Sequence, residues 1–202
     1  DKLELPVLEC TALQQLDIGN NRLSRNSALT LAALISSCRQ LEWLSVDDTD
    51  LDEDGLVAVA NACGECPNLS HLVLRDNRCG EALDHVTRPL AQCTSLTHLD
   101  ISDNDGVISQ QLLAPLERCP ALVHLRVGGN SLSLQHIPAL ATLRRHASLK
   151  TLDLSHSHWE ALQAESSLQL LAELARMTAL ETLNLKACSI TYCGLKQLLG
   201  RL

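Results

Sequence analysis

The chain has 202 residues, a formal charge of −8 and 46% hydrophobic residues, which suits one folded unit with a sizeable core. It holds 44 Leu but no Phe and only three aromatic residues (Trp43, Trp159 and Tyr192), so a single branched aliphatic residue fills the core. The acidic charge argues against nucleic-acid binding, which needs a basic surface. No apolar run reaches the roughly 18 residues of a membrane span, so membrane insertion is not expected.

One pattern, L-x-x-L-x-[LIV]-x-x-[NTSC], recurs seven times along the chain. Its copies begin at Leu13, Leu41, Leu69, Leu96, Leu122, Leu149 and Leu180, with spacings of 28, 28, 27, 26, 27 and 31 residues. Chance does not place seven copies in phase across one chain. The sequence therefore predicts an array of stacked repeats rather than a core of mixed shape.

Each repeat predicts a strand, a turn and a helix, in that order. The last two apolar positions of the motif are two residues apart, so they share one face of a short strand. The Asn that closes most copies can satisfy backbone groups of adjacent turns, because its amide both donates and accepts hydrogen bonds. Helical spacing follows, as in Leu29, Ala33 and Leu34 of the first repeat. We expect parallel strands on one wall and helices on the other.

Over residues 10–202 this motif resembles the leucine-rich repeat family. The resemblance implies an α/β solenoid of about seven repeats of 26–31 residues, with strands on its concave face and helices on its convex face. The repeat length resembles the ribonuclease-inhibitor-like and cysteine-containing subclasses. A Cys three residues before the first Leu favours the second subclass, and the closing Asn favours the first, so both stay open. The Cys positions are Cys10, Cys38, Cys66, Cys93 and Cys119.

The two ends and the longest repeat depart from the pattern. Residues 1–12 resemble the tail of a preceding repeat, and residues 195–202 are expected to complete the last helix. Neither end has the polar cap that such arrays need, so we expect residues 1–202 to be one domain of a longer protein or assembly. The repeat from Leu149 holds about one extra helical turn around Trp159, which we interpret as a core residue at a local bulge.

The nine Cys predict a reducing compartment. Five occupy one repeat position that faces the core, where Cys acts as a small hydrophobic residue. The fold does not require them to pair. We therefore expect free thiols and a location in the cytosol or nucleus.

Neither an enzyme nor a metal site is expected, and no cofactor is implied. Ser, His and Asp lack any local catalytic signature. The run Asp50–Gly55 matches the first half of a calcium loop, but Asn61 stands where a bidentate Glu is needed, which favours a solvated acidic turn. Three His on adjacent strands could offer nitrogen ligands, but we expect the strands to splay them.

The residues between the core Leu positions should form columns on the concave face. Since adjacent parallel strands lie about 4.8 Å apart, equivalent side chains are neighbours. One column places Trp43, His71, His98 and His124 side by side, and we call these four residues the ring row. Exposed rings on a rigid strand suit the centre of a protein interface. The alternative is that this position tolerates any polar residue and that His recurred by duplication.

The other candidate partner-binding residues are charged and flank the ring row. Six are carboxylates and two are guanidinium groups: Asp47, Asp48, Arg75, Asp76, Asp100, Asp103, Arg126 and Asp153. The excess of acid predicts a partner with a basic surface. Carboxylates beside imidazoles should favour the protonated rings, so we expect affinity to change between about pH 5 and 8.

These features predict a non-catalytic protein–protein interaction module, an adaptor, scaffold or sensor, that binds a protein partner on its concave face. The family resemblance implies two alternatives. One is the substrate-receptor part of an F-box ubiquitin ligase, although no F-box-like segment is visible in this sequence. The other is a GTPase-activating protein, which needs a catalytic Arg or Asn; Arg22, Arg78 and Asn20 are the nominal candidates.

Overall fold

Seven short parallel strands form one open sheet. The computed structural model describes residues 10–132, 134–157, 169–170, 172–188, 190 and 196. The strands follow each other in chain order across the sheet. They are β1 (Gln15–Asp17), β2 (Trp43–Ser45), β3 (His71–Val73), β4 (His98–Asp100), β5 (His124–Arg126), β6 (Thr151–Asp153) and β7 (Thr182–Asn184). Every strand begins two residues after the first Leu of its motif, so the strands recur with the period of the motif.

Helical segments connect the strands on the other wall. They are α1 (Arg25–Ser37), α2 (Glu53–Gly64), α3 (Leu83–Leu90), α4 (Gln110–Leu113) and three 3-10 segments at Gly80–Ala82, Ala114–Arg118 and Leu134–Arg145. Capping side chains start three of the α-helices. Ser24, Asp52 and Ser109 each accept a hydrogen bond from a backbone N–H in the first helical turn. The chain is therefore an α/β solenoid, as its repeats predict.

The convex wall differs from the expectation of one α-helix per repeat. The α-helices shorten from α1 to α4, and the fifth repeat has only the 3-10 segment Leu134–Arg145 in this place. Proline is the physical reason. Pro89 lies in the last turn of α3, and Pro115 lies at the start of the 3-10 segment that follows α4. Pro138 lies inside the 3-10 segment of the fifth repeat. Proline has no N–H and interrupts the i→i−4 hydrogen bonds of an α-helix.

The core lies between the two walls and is built from equivalent residues of successive repeats. The central Leu residues of β2, β3, β5 and β6 are completely buried, and Leu99 of β4 is 2% exposed. Leu16 and Leu183 lie in the first and last strands and are only partly buried. An outer strand has a neighbouring strand on one side alone, so stacking of repeats is what closes the core.

A ladder of buried Asn side chains joins the turns that follow the strands. Asn104 donates from Nδ2 to the carbonyl oxygens of Leu74, Ile101 and Ser102 at 3.0, 3.1 and 3.0 Å. Its Oδ1 accepts from the backbone N–H of Asn77 at 3.1 Å. Asn77 and Asn130 are buried and bonded in the same way. The predicted role of the closing Asn is confirmed.

The Cys positions before each motif form a second ladder. Cys38, Cys66, Cys93 and Cys119 are buried, whereas Cys10 is half-buried. The thiol of Cys93 donates to the carbonyl oxygen of Cys63 at 3.4 Å. Burial raises the pKa of Cys93 to about 12, because the thiolate is poorly solvated there. These thiols therefore act as buried hydrogen-bond donors, and His146 and Met177 occupy the same position in the last two repeats.

Candidate functional site

The structure brings the ring row together on the concave face. Trp43 pairs in register with His71, His71 with His98, and His98 with His124. The ring centroids of His71 and His98 are 3.9 Å apart with an interplanar angle of 14°, and those of His98 and His124 are 4.1 Å apart at 24°. Within the described residues Trp43 joins no ring stack. The four rings are thus an imidazole stack of three (His71, His98 and His124) beside an indole.

Hydroxyl groups hold two rings of the imidazole stack. The Oγ of Ser70 lies 2.8 Å from Nδ1 of His71, and the Oγ1 of Thr97 lies 2.8 Å from Nδ1 of His98. Each hydroxyl belongs to the residue just before its His, so a strand backbone sets both partners. Val123 precedes His124 and offers no hydroxyl. The sequence reasoning missed these two hydrogen bonds, although Ser70 and Thr97 are visible at equivalent repeat positions.

The expectation that the imidazoles take up protons readily is wrong for His98. Burial, then the neighbouring His71, His124 and Arg126, lower the pKa of His98 to about 4. A proton on the middle ring would meet two further imidazoles and a guanidinium group. The Asp100 carboxylate is paired with Arg126, their nearest atoms being 3.5 Å apart. His98 is therefore neutral at neutral pH.

The second column of candidate residues is partly structural. Asp100 is 8% exposed and accepts a hydrogen bond from the backbone N–H of Ser102 at 3.0 Å. Its predicted place on the exposed surface is therefore wrong, because the carboxylate turns back to bond its own loop. Asp153 accepts from the backbone N–H of Ser155 at 2.8 Å and from Asn184 at 2.9 Å. Burial opposes ionisation of Asp153, but these bonds and Arg126 hold its pKa below the usual range.

The carboxylates beyond the strands mark a row of turns. Asp48, Asp76 and Asp103 have φ angles of 49°, 57° and 54°, in the left-handed region that Asp tolerates better than most residues. Asp103 also forms an ion pair with Arg75, their nearest atoms being 2.9 Å apart. Asp47 is half-buried and accepts a hydrogen bond from Ser45. Among the candidate carboxylates, Asp48 and Asp76 are exposed, whereas Asp47, Asp103 and Asp153 are partly exposed.

Gly129 continues this row in the fifth repeat. Its φ is 67°, and a Cβ atom there would collide with the carboxylate of Asp103. Repeated Asn, Asp and Gly at one position is a signal for left-handed backbone that the sequence reasoning did not use. An open groove of about 480 Å³ follows these turns. It is lined by Asp76, Arg78, Asp103, Asp105, Gly129, His156 and Ala187.

The geometry of the imidazole stack is poor for a metal ion. A nitrogen lone pair lies in the plane of its ring, and nearly parallel planes about 4 Å apart cannot aim two lone pairs at one ion about 2.1 Å from both. The expectation that the strands splay the rings is wrong, because the three rings are stacked. In the part of the chain that the structure describes, no group of three or more His, Cys, Asp or Glu side chains could hold a metal ion.

The acidic run at residues 50–55 serves the helix instead. Asp52 accepts from the backbone N–H of Gly55 at 2.8 Å and caps α2. Asp54 forms an exposed ion pair with Arg25. This agrees with the predicted acidic turn at the start of a helix.

Two further expectations concern regions outside the site. Trp159 lies outside the residues that the structure describes. None of the helices it does describe has the length and apolar character needed to cross a membrane.

Comparisons with known proteins identify the architecture. A leucine-rich repeat family model matches residues 92–107, which include β4 and the fourth copy of the motif. Among solved structures, the fold is similar to that of an internalin, InlF, from Listeria monocytogenes. The TM-score is 0.51 at 21% sequence identity, over 96% of this chain and 61% of that chain. The chain thus spans less than two thirds of the internalin chain it matches. No curated protein matches the sequence significantly.

Proposed function

We propose that the chain binds a protein partner on its concave face as an adaptor, scaffold or sensor and does not act as an enzyme. The leucine-rich repeat fold supports this proposal, since such proteins are typically interaction modules. The observation that carries this proposal is the ring row. Trp43, His71, His98 and His124 lie side by side on four adjacent strands, in a chain that has two Phe, Tyr or Trp residues besides Trp43.

The chemistry of the ring row supports an interface centre. All four side chains are partly exposed, on strands whose backbones are bonded on both sides. A ring on a rigid strand loses little conformational entropy when a partner covers it. The neutral imidazole of His98 also loses less hydration than a charged group would when a partner covers it.

The surrounding charges support a partner with a basic surface. Of the eight charged candidates, the two guanidinium groups already have carboxylate partners: Arg75 with Asp103, and Arg126 with Asp100. Asp48 and Asp76 remain exposed. The face therefore keeps a net negative charge that speeds the approach of a cationic surface at low salt.

We place the protein in the cytosol or nucleus. The support is the ladder of buried thiols, which are free in the structure and whose hydrogen bonds to carbonyl groups need the reduced, protonated form. We also propose that the chain works as part of a larger protein or assembly.

The test is affinity capture of the native partner, followed by binding measurements with purified components. Trp43→Ala should weaken binding by at least about 2 kcal/mol, roughly 30-fold in Kd, if the indole is a central contact. The matched control is Asn61→Ala, which truncates an exposed side chain of α2 on the opposite wall. Binding that is lost with Asn61→Ala but kept with Trp43→Ala would place the partner on the convex wall and refute the proposal.

A further inference from the structure

The hydroxyl beside His71 reveals where that ring carries its proton. The Oγ of Ser70 lies 3.0 Å from the carbonyl oxygen of Glu42 and 2.8 Å from Nδ1 of His71. A hydroxyl has one proton, and a carbonyl oxygen can only accept. Ser70 therefore donates to Glu42, and its oxygen accepts the Nδ1–H of His71.

The next strand repeats this arrangement. The Oγ1 of Thr97 lies 2.9 Å from the carbonyl oxygen of Ser70 and 2.8 Å from Nδ1 of His98. His98 thus also carries its proton on Nδ1. A neutral imidazole has one N–H, so the remaining nitrogen, Nε2, keeps its lone pair as an acceptor.

The two Nε2 atoms face the space in front of the sheet. Both rings are tied through Nδ1 to the residue before them and lie nearly parallel, 3.9 Å apart. Their Nε2 lone pairs therefore point the same way, side by side. Both side chains are partly exposed, and neither Nε2 is among the enclosed polar atoms without a partner in the described residues.

We propose that this pair of acceptors binds an arginine side chain of the protein partner, whose guanidinium group donates to Nε2 of His71 and to Nε2 of His98. This inference rests on the proposed function. It names the chemistry that the concave face recognises.

Arginine fits the pair better than other donors. Its guanidinium group is planar, offers several N–H donors in one plane and is weakly hydrated, so it can serve two parallel acceptors and lie against neighbouring rings. Trp43 is next in register to His71 and supplies such a ring. Arg126, the cation that acts on His98, is already paired with Asp100. A phosphate or carboxylate group of a partner would instead place acceptor oxygens against the acceptor Nε2 atoms of the two rings.

The proton positions are tested by nitrogen NMR of the imidazole rings near pH 7.5. We expect Nδ1–H and a bare Nε2 for His71 and His98. Thr97→Val keeps the shape of the side chain but removes the acceptor, so His98 should move its proton to Nε2. The reverse change, Val123→Thr, should give His124 the same locked form. Bare Nδ1 atoms in the wild-type protein would overturn the inference.

Recognition is tested with a hexa-arginine peptide as the probe and a hexa-lysine peptide as the measure of plain charge attraction. His98→Phe keeps a stacked ring but removes the acceptor. It should weaken hexa-arginine binding about tenfold and leave hexa-lysine binding within about twofold. His85→Phe is the matched control, because it makes the same change at an exposed residue of α3 on the opposite wall, and it should change either affinity within about twofold. Equal losses for both peptides, or no loss at His98, would refute the arginine site.

Failure of this inference is distinct from failure of the proposed function. If Trp43→Ala weakens binding of the native partner but His98→Phe does not weaken binding of hexa-arginine, the proposed concave interface is supported and the arginine site is refuted. If no substitution on the concave face changes the affinity for the native partner, both the proposed function and the arginine site are refuted.

Discussion

Replacing Asn104 by Asp tests whether the Asn ladder closes the turns of the solenoid. Asn104 is completely buried, and its Nδ2 donates to three carbonyl oxygens within 3.1 Å. Asp has the same shape but, when ionised, lacks the two N–H donors that these three oxygens share. At about 1 kcal/mol for each lost donor, plus the cost of a buried charge, we expect Asn104→Asp to lower the free energy of unfolding by about 3–5 kcal/mol.

The assay is urea denaturation followed by circular dichroism, with the midpoint and slope compared to wild type. The control is Asn21→Asp at the same repeat position. Asn21 is exposed and donates to the carbonyl oxygens of Ile18 and Gly19, which water can replace. Asn21→Asp should therefore lower the free energy of unfolding by no more than about 1 kcal/mol.

The loss at Asn104 should also depend on pH. Burial beside carbonyl groups raises the pKa of the new carboxyl in the folded state. A raised pKa favours the folded state at low pH and penalises it as pH rises, so Asn104→Asp should cost less at pH 5 than at pH 8. Equal losses at Asn104 and Asn21 at both pH values would refute the ladder argument.

Three further outcomes are expected. Leu99→Ala should lower the free energy of unfolding in urea by about 2–5 kcal/mol, since the side chain of Leu99 is 2% exposed. Gln15→Ala, on the exposed edge strand, should change it by no more than about 0.5 kcal/mol, and similar losses for both variants would mean that the repeat phase is wrong. Cys93, with a pKa raised to about 12 by burial, should react slowly with a thiol reagent at pH 8 until urea unfolds the chain; fast labelling of the native protein would contradict its burial. Burial lowers the pKa of His146, so the folded state favours the neutral ring, and the free energy of unfolding should decline as pH falls below about 6.5. His146→Met, which copies Met177 of the next repeat, should flatten this pH dependence. An unchanged dependence would assign it to other groups.

Much of the concave face was predictable from the sequence. The motif repeats every 26–31 residues, and a strand alternates its side chains between two faces, so equivalent positions must become neighbours. This placed Trp43, His71, His98 and His124 in register. The same logic predicted the buried Asn and Cys ladders, because each residue type repeats at a fixed distance from the motif.

Proline content could have predicted the change on the convex wall. Pro115 and Pro138 fall in the helical part of their repeats, where each removes a hydrogen-bond donor. The apolar periodicity alone favoured helices throughout, since it does not distinguish an α-helix from a 3-10 helix over so few residues.

The sequence by itself determined the repeat phase, the sheet register and the residues that share each column. The reason is that successive repeats of nearly constant length stack with their equivalent positions side by side. Only the tertiary structure decided how those residues meet. Burial and the two neighbouring imidazoles lower the pKa of His98, the Asp100 carboxylate turns to its own loop, and two hydroxyls fix the proton of His71 and His98 on Nδ1. Ring planes, burial and hydrogen-bond partners depend on distances of a few tenths of an ångström, which residue spacing does not encode.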